Sequence, residues 1–390
     1  MSDTRGPLQD VRVVDLTDER GIYGAKLLAD LGADVVRPEP PEGDALRRRG
    51  PHLEDAPDGP TSLWHVFFAS SRRFLSVDLE SEAGDAQIDA LIDRAHVVLC
   101  CTGAFGAEQE RLDAALSRRP ELVVVEVSSF GKEGPWRDYL APHIVAGALG
   151  GAVAPTGDAD TPPLNAFGEL HFMMSGVYVA IAALGALHLA RVRKIGQRVH
   201  VPVHECIASG LEQVLMWYWY HDRLPMAKGP VLERRGGLHW TNAFQTMRGR
   251  DGCVFVTPAP NRDAQLAWLI EEDAAGDLWD PKYQDPANRE AFTLAVMQRL
   301  REWVATRDVE PLFKEGQARG LAYGQVVPVE GVADNPHLGA REWWTDYLPT
   351  VRGPGAPYAF SDTPWKIGPY GDVGADTEAV LSEIGWTESQ

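Results

Sequence analysis

The chain has 390 residues, 44% of them hydrophobic, with a formal net charge of −19 and a pI near 5.0. That length admits two or three domains with sizeable cores, while the acidic balance argues against a nucleic-acid surface or a face for anionic membranes, both of which need clustered cations. Cys100, Cys101, Cys206 and Cys253 form no CxxC pair and no even spacing, so neither a zinc ribbon nor a disulfide framework is expected, and a reduced cytoplasmic setting is the simplest reading.

The opening "MSDTRGPLQD" has no apolar run and does not read as a signal peptide. Next, "VRVVDL" predicts a strand, "GIYGAKLLADLG" a helix ended by Gly32, and "ADVVRPEP" a second strand, together a βαβ unit. The alternation continues with the strand "FLSVDL", the helix "GDAQIDALIDRA", the strand "HVVLCC", the helix "EQERLDAALSRR" and the strand "LVVVEVSSFG". Such a β-α order implies an α/β fold with a mostly parallel sheet, whose ligands sit at the carboxyl ends of the strands.

After the loop "GDADTPPLN", an apolar helix is expected from about Met174 to Arg191. Its most hydrophobic stretch, "SGVYVAIAALGALHLA", is about fifteen residues, short for a bilayer span, and reads as a buried helix. "GQRVHVPVHE" alternates with period two and reads as a strand entering a helix. The aromatic "LEQVLMWYWYHDRLP" follows, in which Trp217 to Tyr220 suit packing better than base stacking because no basic groove accompanies them. Beyond Pro225, "RRGGLHWTNAFQTMRGRDGCVFVTPAP" reads as hairpin strands with glycine turns, followed by helices such as "REAFTLAVMQRLREWVATR". One helix is expected to close the tail.

Several separated stretches, in order, resemble the family III CoA-transferases, the group that includes formyl-CoA transferase, carnitine CoA-transferase and α-methylacyl-CoA racemase. They are "GPLQDVRVVDLT", "LLADLGADVVRPEPPEGD", "RRFLSVDLES", "SSFGKEGPW", "PPLN" before an acid, "GQRVHVPVHE", "LGAREWW" and "GADTEAVLSEIG". The resemblance implies a Rossmann-like large domain built from both chain ends, a smaller α+β domain, and an interlocked homodimer. The expected partition is 1–202 for the first part of the large domain, 203–225 as a linker, 226–328 as the small domain, 329–349 as a second linker, and 350–390 completing the large domain. A heterodimer with an active homologue stays open.

The resemblance further implies a carboxylate that attacks an acyl-CoA to give a mixed anhydride and free CoA, with a carboxylic acid as acceptor, coenzyme A as substrate and no tightly bound cofactor. Anchoring on "PPLN" gives this role to Glu169, where the family usually has Asp followed four residues on by Gly; here Gly176 stands seven residues on. Anchoring on "GQRV" puts Phe172 or Met173 there instead and leaves no nucleophile. An acid at a helix start also has the plain role of favouring the helix dipole. His143 in "LAPHIVAGALGG" falls next to the racemase histidine, so a His143–Glu169 acid–base pair for α-epimerisation is the alternative, with His171 as another partner. A catalytically degenerate CoA-binding subunit is a third reading.

For CoA, the resemblance assigns Arg37 to the phosphates, Arg72 and Arg73 to a second basic pair, Leu16 and Thr17 to the pocket wall, and Arg137 to a downstream basic position. Arg47 to Arg49 serve either the 3′-phosphate or loop solvation. Gly236 and Gly237 resemble a shortened form of the glycine loop that shields the anhydride, or a plain hairpin turn. "HVPVHE" sets His200 and His204 on one side of a strand beside Glu205, but two histidines are too few for a metal site, and none is expected.

Overall fold

The computed structural model of the protein describes residues 6–54, 61–224, 243–258 and 260–386. The first strands and helices follow the alternation in the sequence: β1 (Arg12–Leu16), α1 (Ile22–Asp30), β2 (Asp34–Glu39), α2 (Leu63–Ala69), β3 (Arg72–Ser76), α3 (Glu82–Ile92), β4 (Val97–Cys101), α4 (Gln109–Arg118) and β5 (Val123–Ser128). Then come α5 (His143–Leu149), α6 (Leu170–Arg193), β6 (Gln197–Pro202) and α7 (Val203–Ser209). The six strands pair in parallel in the order β3-β2-β1-β4-β5-β6. This order reverses direction between β1 and β4, which opens a crevice at their carboxyl ends.

Both faces of the sheet are covered, which is why its inner strands read as valine-rich runs, whereas the edge strand β6 keeps an apolar–polar alternation. Val13, Val35, Val97, Leu99, Val123 and Val125 pack on one side with residues of α1, α6 and α7. Val14, Leu16, Val36, Val98, Cys100 and Val124 pack on the other with residues of α3 and α4.

Helix α6 runs 24 residues, longer than the sequence expectation, and contains an 18-residue window of mean hydropathy 1.8, so by length and composition alone it could cross a membrane. Half of that apolar window is buried inside the chain, with Phe172, Val179, Ala183 and Leu187 in the sheet's core. Two glycines let α6 lie directly on α1. A β-carbon at Gly24 would stand 2.6 Å from Val179 Cγ1, and one at Gly176 would stand 2.8 Å from the Gly24 nitrogen. Gly176 thus serves the helix crossing and does not end the helix, as its low helical propensity would suggest.

The chain divides into two compact units, residues 1–152 with 165–210 and 336–390, and residues 153–164 with 211–335. The second unit contains α8 (Glu212–Tyr220), β7 (Gln245–Arg248), β8 (Cys253–Val256), α9 (Arg262–Glu271), α10 (Arg289–Val304), α11 (Val309–Ala318) and β9 (Gly324–Gln325). Its antiparallel sheet, ordered β9-β8-β7, shares a core of Val254, Trp268, Leu300, Trp303 and Tyr323 with these helices, a smaller α+β architecture.

The tail returns to the first unit through the hairpin β10 (Trp344–Leu348) and β11 (Val351–Pro354) and ends in α12 (Thr377–Ile384). The start of α12 is stitched to edge strand β3: Asp376 Oδ2 accepts the Phe74 N–H at 2.9 Å, and Thr377 Oγ1 accepts the Ser76 N–H at 3.0 Å. Val380 and Ile384 then join the α3/α4 core.

Candidate active site at the start of helix α6

The amino end of α6 is anchored from three directions. Gly168, at φ +66°, turns the chain into Glu169, the N-cap residue, whose side chain makes no capping hydrogen bond and so remains available. A first-turn N–H that would otherwise lack a partner, that of His171, donates to His143 Nε2 at 3.1 Å. The two imidazoles stack at 4.9 Å, and Phe172 meets His143 edge-on at 5.2 Å. One turn further, Ser175 Oγ donates to the Arg20 carbonyl at 2.8 Å.

Arg20 lies at the reversal of strand order: its guanidinium holds Asp18 after β1, donates to the Thr102 carbonyl after β4 at 2.9 Å, and reaches Ser129 Oγ after β5 at 3.4 Å. The start of α6 is thereby tied to the carboxyl edge of the sheet.

The two oxygens of Glu169 have different surroundings. Oε1 accepts a hydrogen bond from Arg49 Nη2 in an ion pair, while Oε2 is buried and has no hydrogen-bond partner. The Arg49 guanidinium lies over the Trp64 ring at 4.6 Å, and Trp64 packs on Phe68 at 4.5 Å. Among the other buried atoms of this unit without a hydrogen-bond partner are Asn165 Oδ1 and His171 Nδ1. Both flank Gly147 of α5: a β-carbon there would stand 2.9 Å from the first and 2.5 Å from the second. Buried polar atoms are normally paired, so unpartnered atoms at Glu169, Asn165 and His171, all within one short stretch of chain, mark a place for an incoming polar ligand or water.

His143 and His171 are both held below the usual histidine pKa, chiefly by burial; the Arg49 charge adds to this at His143, and His143 adds to it at His171. At neutral pH the pair is uncharged, leaving Arg49 as the cation that Glu169 meets.

The other sequence candidates fall in different places. Leu16 is part of the α3/α4 core, and Thr17 is buried with its hydroxyl donating to Asp15 Oδ1 at 2.6 Å. Arg37 is 4% exposed and committed to Asp15, Asp44 and the Thr17 carbonyl, whose charges hold its guanidinium protonated. Arg72 is buried against Asp15 and the Ile22 carbonyl, and burial brings its pKa down to about 10. Arg73 turns away to Asp34 and Glu383, at the amino edge of β2, roughly a strand length of 16 Å from Thr17.

Arg137 is exposed beside Asp138. Arg47 pairs with Glu39 and lies over Phe74, and Arg48 is exposed. Gly236 and Gly237 lie outside the described residues. His143 makes its hydrogen bond to the backbone of α6, not to Glu169.

One expectation is corrected outright. His200 and His204 do not share a strand, because β6 stops at Pro202 and His204 lies in α7. His200 pairs with Ser128 Oγ at 2.8 Å, and His204 with the Leu149 carbonyl at 3.1 Å. Among the described residues no group of three or more His, Cys, Asp or Glu is arranged to hold a metal ion.

Asn165, Gly147, Trp64 and Arg20 carry no signal in the sequence that singles them out individually, and Arg49 is one of three arginines in a row. Asn165 was nonetheless visible as the last residue of the "PPLN" motif used to locate Glu169.

The model of CoA-transferase family III matches residues 8–377. The chain belongs to this family. It is 29% identical to the succinyl-CoA:(R)-benzylsuccinate CoA-transferase subunit BbsE of Thauera aromatica, covering 96% of this chain and 93% of that protein. It is 27% identical to the succinyl-CoA–D-citramalate CoA-transferase of Chloroflexus aurantiacus, covering 86% and 82%. A crystal structure of a CAIB/BAIF family protein from Brucella suis has the same fold, with a TM-score of 0.81 and 25% identity over 97% of this chain and all of that one. As a family III CoA-transferase, the protein moves CoA between an acyl-CoA thioester and a carboxylic acid.

Proposed function

We propose that this CoA-transferase works by double displacement with Glu169 as the acyl carrier. The observation that carries the reading is the asymmetry of Glu169: Oε1 is fixed by Arg49, while Oε2 is buried and unbonded at the start of α6. A carboxylate with one oxygen fixed and the other desolvated is oriented and unhindered for attack.

Oε2 attacks the thioester carbonyl, the C–S bond breaks, and CoA leaves as the thiolate from a mixed anhydride. The thiolate then attacks the glutamyl carbonyl, expelling the donor acid as its carboxylate and leaving a glutamyl-CoA thioester. The acceptor carboxylate attacks that thioester to form a second anhydride and thiolate. The thiolate takes the acceptor's acyl group and restores the Glu169 carboxylate. Positive charge at the amino end of α6 favours each developing oxyanion. CoA is a substrate, and the cycle uses no tightly bound cofactor.

The epimerase reading is less well supported, because the His143 Nε2 lone pair is already used by the His171 N–H and burial disfavours its protonated form. We also propose a cytoplasmic homodimer: α6 leaves Val177, Ile181, Leu184 and Val192 exposed along one side, a stripe that a second copy would cover. Light scattering on the purified chain tests this separately.

For Glu169, the test is intact-mass analysis after incubation with a panel of acyl-CoAs that includes succinyl-CoA and formyl-CoA. The wild type should gain a hydroxylamine-sensitive adduct that maps to Glu169, and Glu169→Gln should gain none and lose turnover. Deuterium uptake at the α-carbon without adduct or acceptor would favour epimerisation and refute the proposal.

A further inference from the structure

The reaction cycle discharges Glu169, and the structure indicates what its partner then does. In the resting enzyme Arg49 is paired with Glu169, with no other hydrogen-bond acceptor for its side chain among the described residues, and a third of that side chain is exposed. Its guanidinium carbon lies over the Trp64 ring, 4.6 Å from the centroid, a contact that does not depend on Glu169 and holds the group in position when its partner changes. The backbone is held too: the Arg49 carbonyl accepts a hydrogen bond from Ser62 Oγ, and its N–H donates to the Leu46 carbonyl at 3.2 Å.

Once Glu169 becomes an anhydride or a thioester it carries no charge. Arg49, a partly buried cation, then faces a neutral acyl group at the stage when a free carboxylate must leave or enter.

We propose that Arg49 is a carboxylate receptor that passes between Glu169 and the substrate acid, pairing with Glu169 at rest and with the departing or entering carboxylate while Glu169 is acylated. This rests on the Glu169 cycle and adds a named seat for the acid substrate. When the thiolate cleaves the first anhydride, the electron pair of the breaking C–O bond goes to the donor's carboxylate oxygen beside Arg49. In the return direction Arg49 holds the acceptor carboxylate in line with the glutamyl thioester carbonyl. An arginine fork suits both tasks, since it pairs with a carboxylate in a fixed plane. Glu169 and the acid compete for this one cation, so binding of the acid is weak until the first acyl transfer has occurred. That order protects the resting enzyme from occupation by bulk carboxylates.

The decisive experiment mimics the discharged state. Glu169→Gln keeps shape and removes charge, so it should bind succinate at least about tenfold more tightly than the wild type by calorimetry. The double variant Glu169→Gln/Arg49→Gln should lose that gain. Equal succinate affinity in wild type and Glu169→Gln, or a gain that survives in the double variant, would overturn the proposal.

Arg49→Gln alone supplies the kinetic arm. It should still form the Glu169 adduct from the acyl-CoA selected by the mass screen, with the KM for the acid raised about tenfold or more and that for acyl-CoA little changed. Arg49→Lys should recover part of the loss, and added methylguanidinium should rescue Arg49→Gln. Slower adduct formation with an unchanged acid KM would reduce Arg49 to a support for Glu169. Absence of any adduct in the wild type would instead refute the Glu169 cycle, and the calorimetry would still report on Arg49. Matching circular dichroism spectra and melting temperatures would establish that each variant is folded.

Discussion

Gly147→Ala tests whether the histidine stack positions the carboxylate. The added β-carbon would stand 2.5 Å from His171 Nδ1 and 2.9 Å from Asn165 Oδ1, whereas ordinary contact begins near 3.4 Å, so the His171 ring must retreat by about 1 Å. It has little room: His171 is 5% exposed and stacked on His143, which is edge-on to buried Phe172. Overpacking of this kind costs about 1–3 kcal/mol, and a shift of about 1 Å at the start of α6 should lower kcat roughly 10²-fold. Gly210→Ala is the control, because there the closest atom is the terminal methyl of Met174, at 2.8 Å on a flexible side chain. Urea denaturation followed by fluorescence gives the stability change, and steady-state kinetics with a trapped-adduct assay give the rate. A Gly147→Ala enzyme that turns over within about twofold of wild type would show that the stack does not set the position of Glu169.

Two further outcomes follow from buried titratable groups. Burial, reinforced by Arg37 and Arg47, pushes the His65 pKa down to about 2 from an ordinary 6.5, so over that window the unfolded chain takes up a proton that the native protein refuses. The contribution is therefore complete above pH 6.5 and declines by about 1.4 kcal/mol per pH unit as pH falls. His65→Asn should flatten the acid limb of the urea-midpoint profile, and an unchanged slope would contradict the assignment. Burial also pushes the Cys100 and Cys206 thiols up to about 12 and that of Cys101 well above the ordinary thiol value, while Cys253 is partly exposed. Ellman's reagent at pH 8 should find at most one fast thiol in the native protein and four after denaturation; a second fast thiol would be inconsistent with this core.

The sheet is legible because its inner strands are largely apolar on both faces and the helices between them are punctuated by polar turns, so local pattern and global fold agree. Helix α2, "LWHVFFA", went unrecognised because seven mostly apolar residues carry no period that separates helix from strand. Ser62 Oγ accepting the His65 N–H is the cap that decides it. The start of α6 lies earlier than its apolar pattern suggests because two residues of its first turn, His171 and Phe172, are held by contacts with His143 and the core that the local sequence does not show. Glu169 could be located from its flanking motif, but Arg49 could not be paired with it. A triple arginine in a loop reads as solvation, and the two partners lie 120 residues apart.

Glutamate in place of the family's usual aspartate and arginine at position 49 belong to one solution. The extra methylene gives the acid another rotatable bond, and an unrestrained glutamate at a helix N-cap would spend much of its time pointing to solvent or capping its own helix. Glu169 makes no cap hydrogen bond and instead reaches across to Arg49, whose guanidinium lies over Trp64. That contact removes the added freedom from one oxygen and directs the other into the buried space. On the proposed cycle the same contact gives weight to an ion pair that would usually contribute little when exposed: its value lies in orientation and in the charge left behind once the carboxylate is acylated. Within that proposed cycle, the longer acid, the displaced glycine and the arginine over Trp64 form one arrangement, in which reach gained along the side chain is restrained by a cation that the cycle later uses for its second substrate.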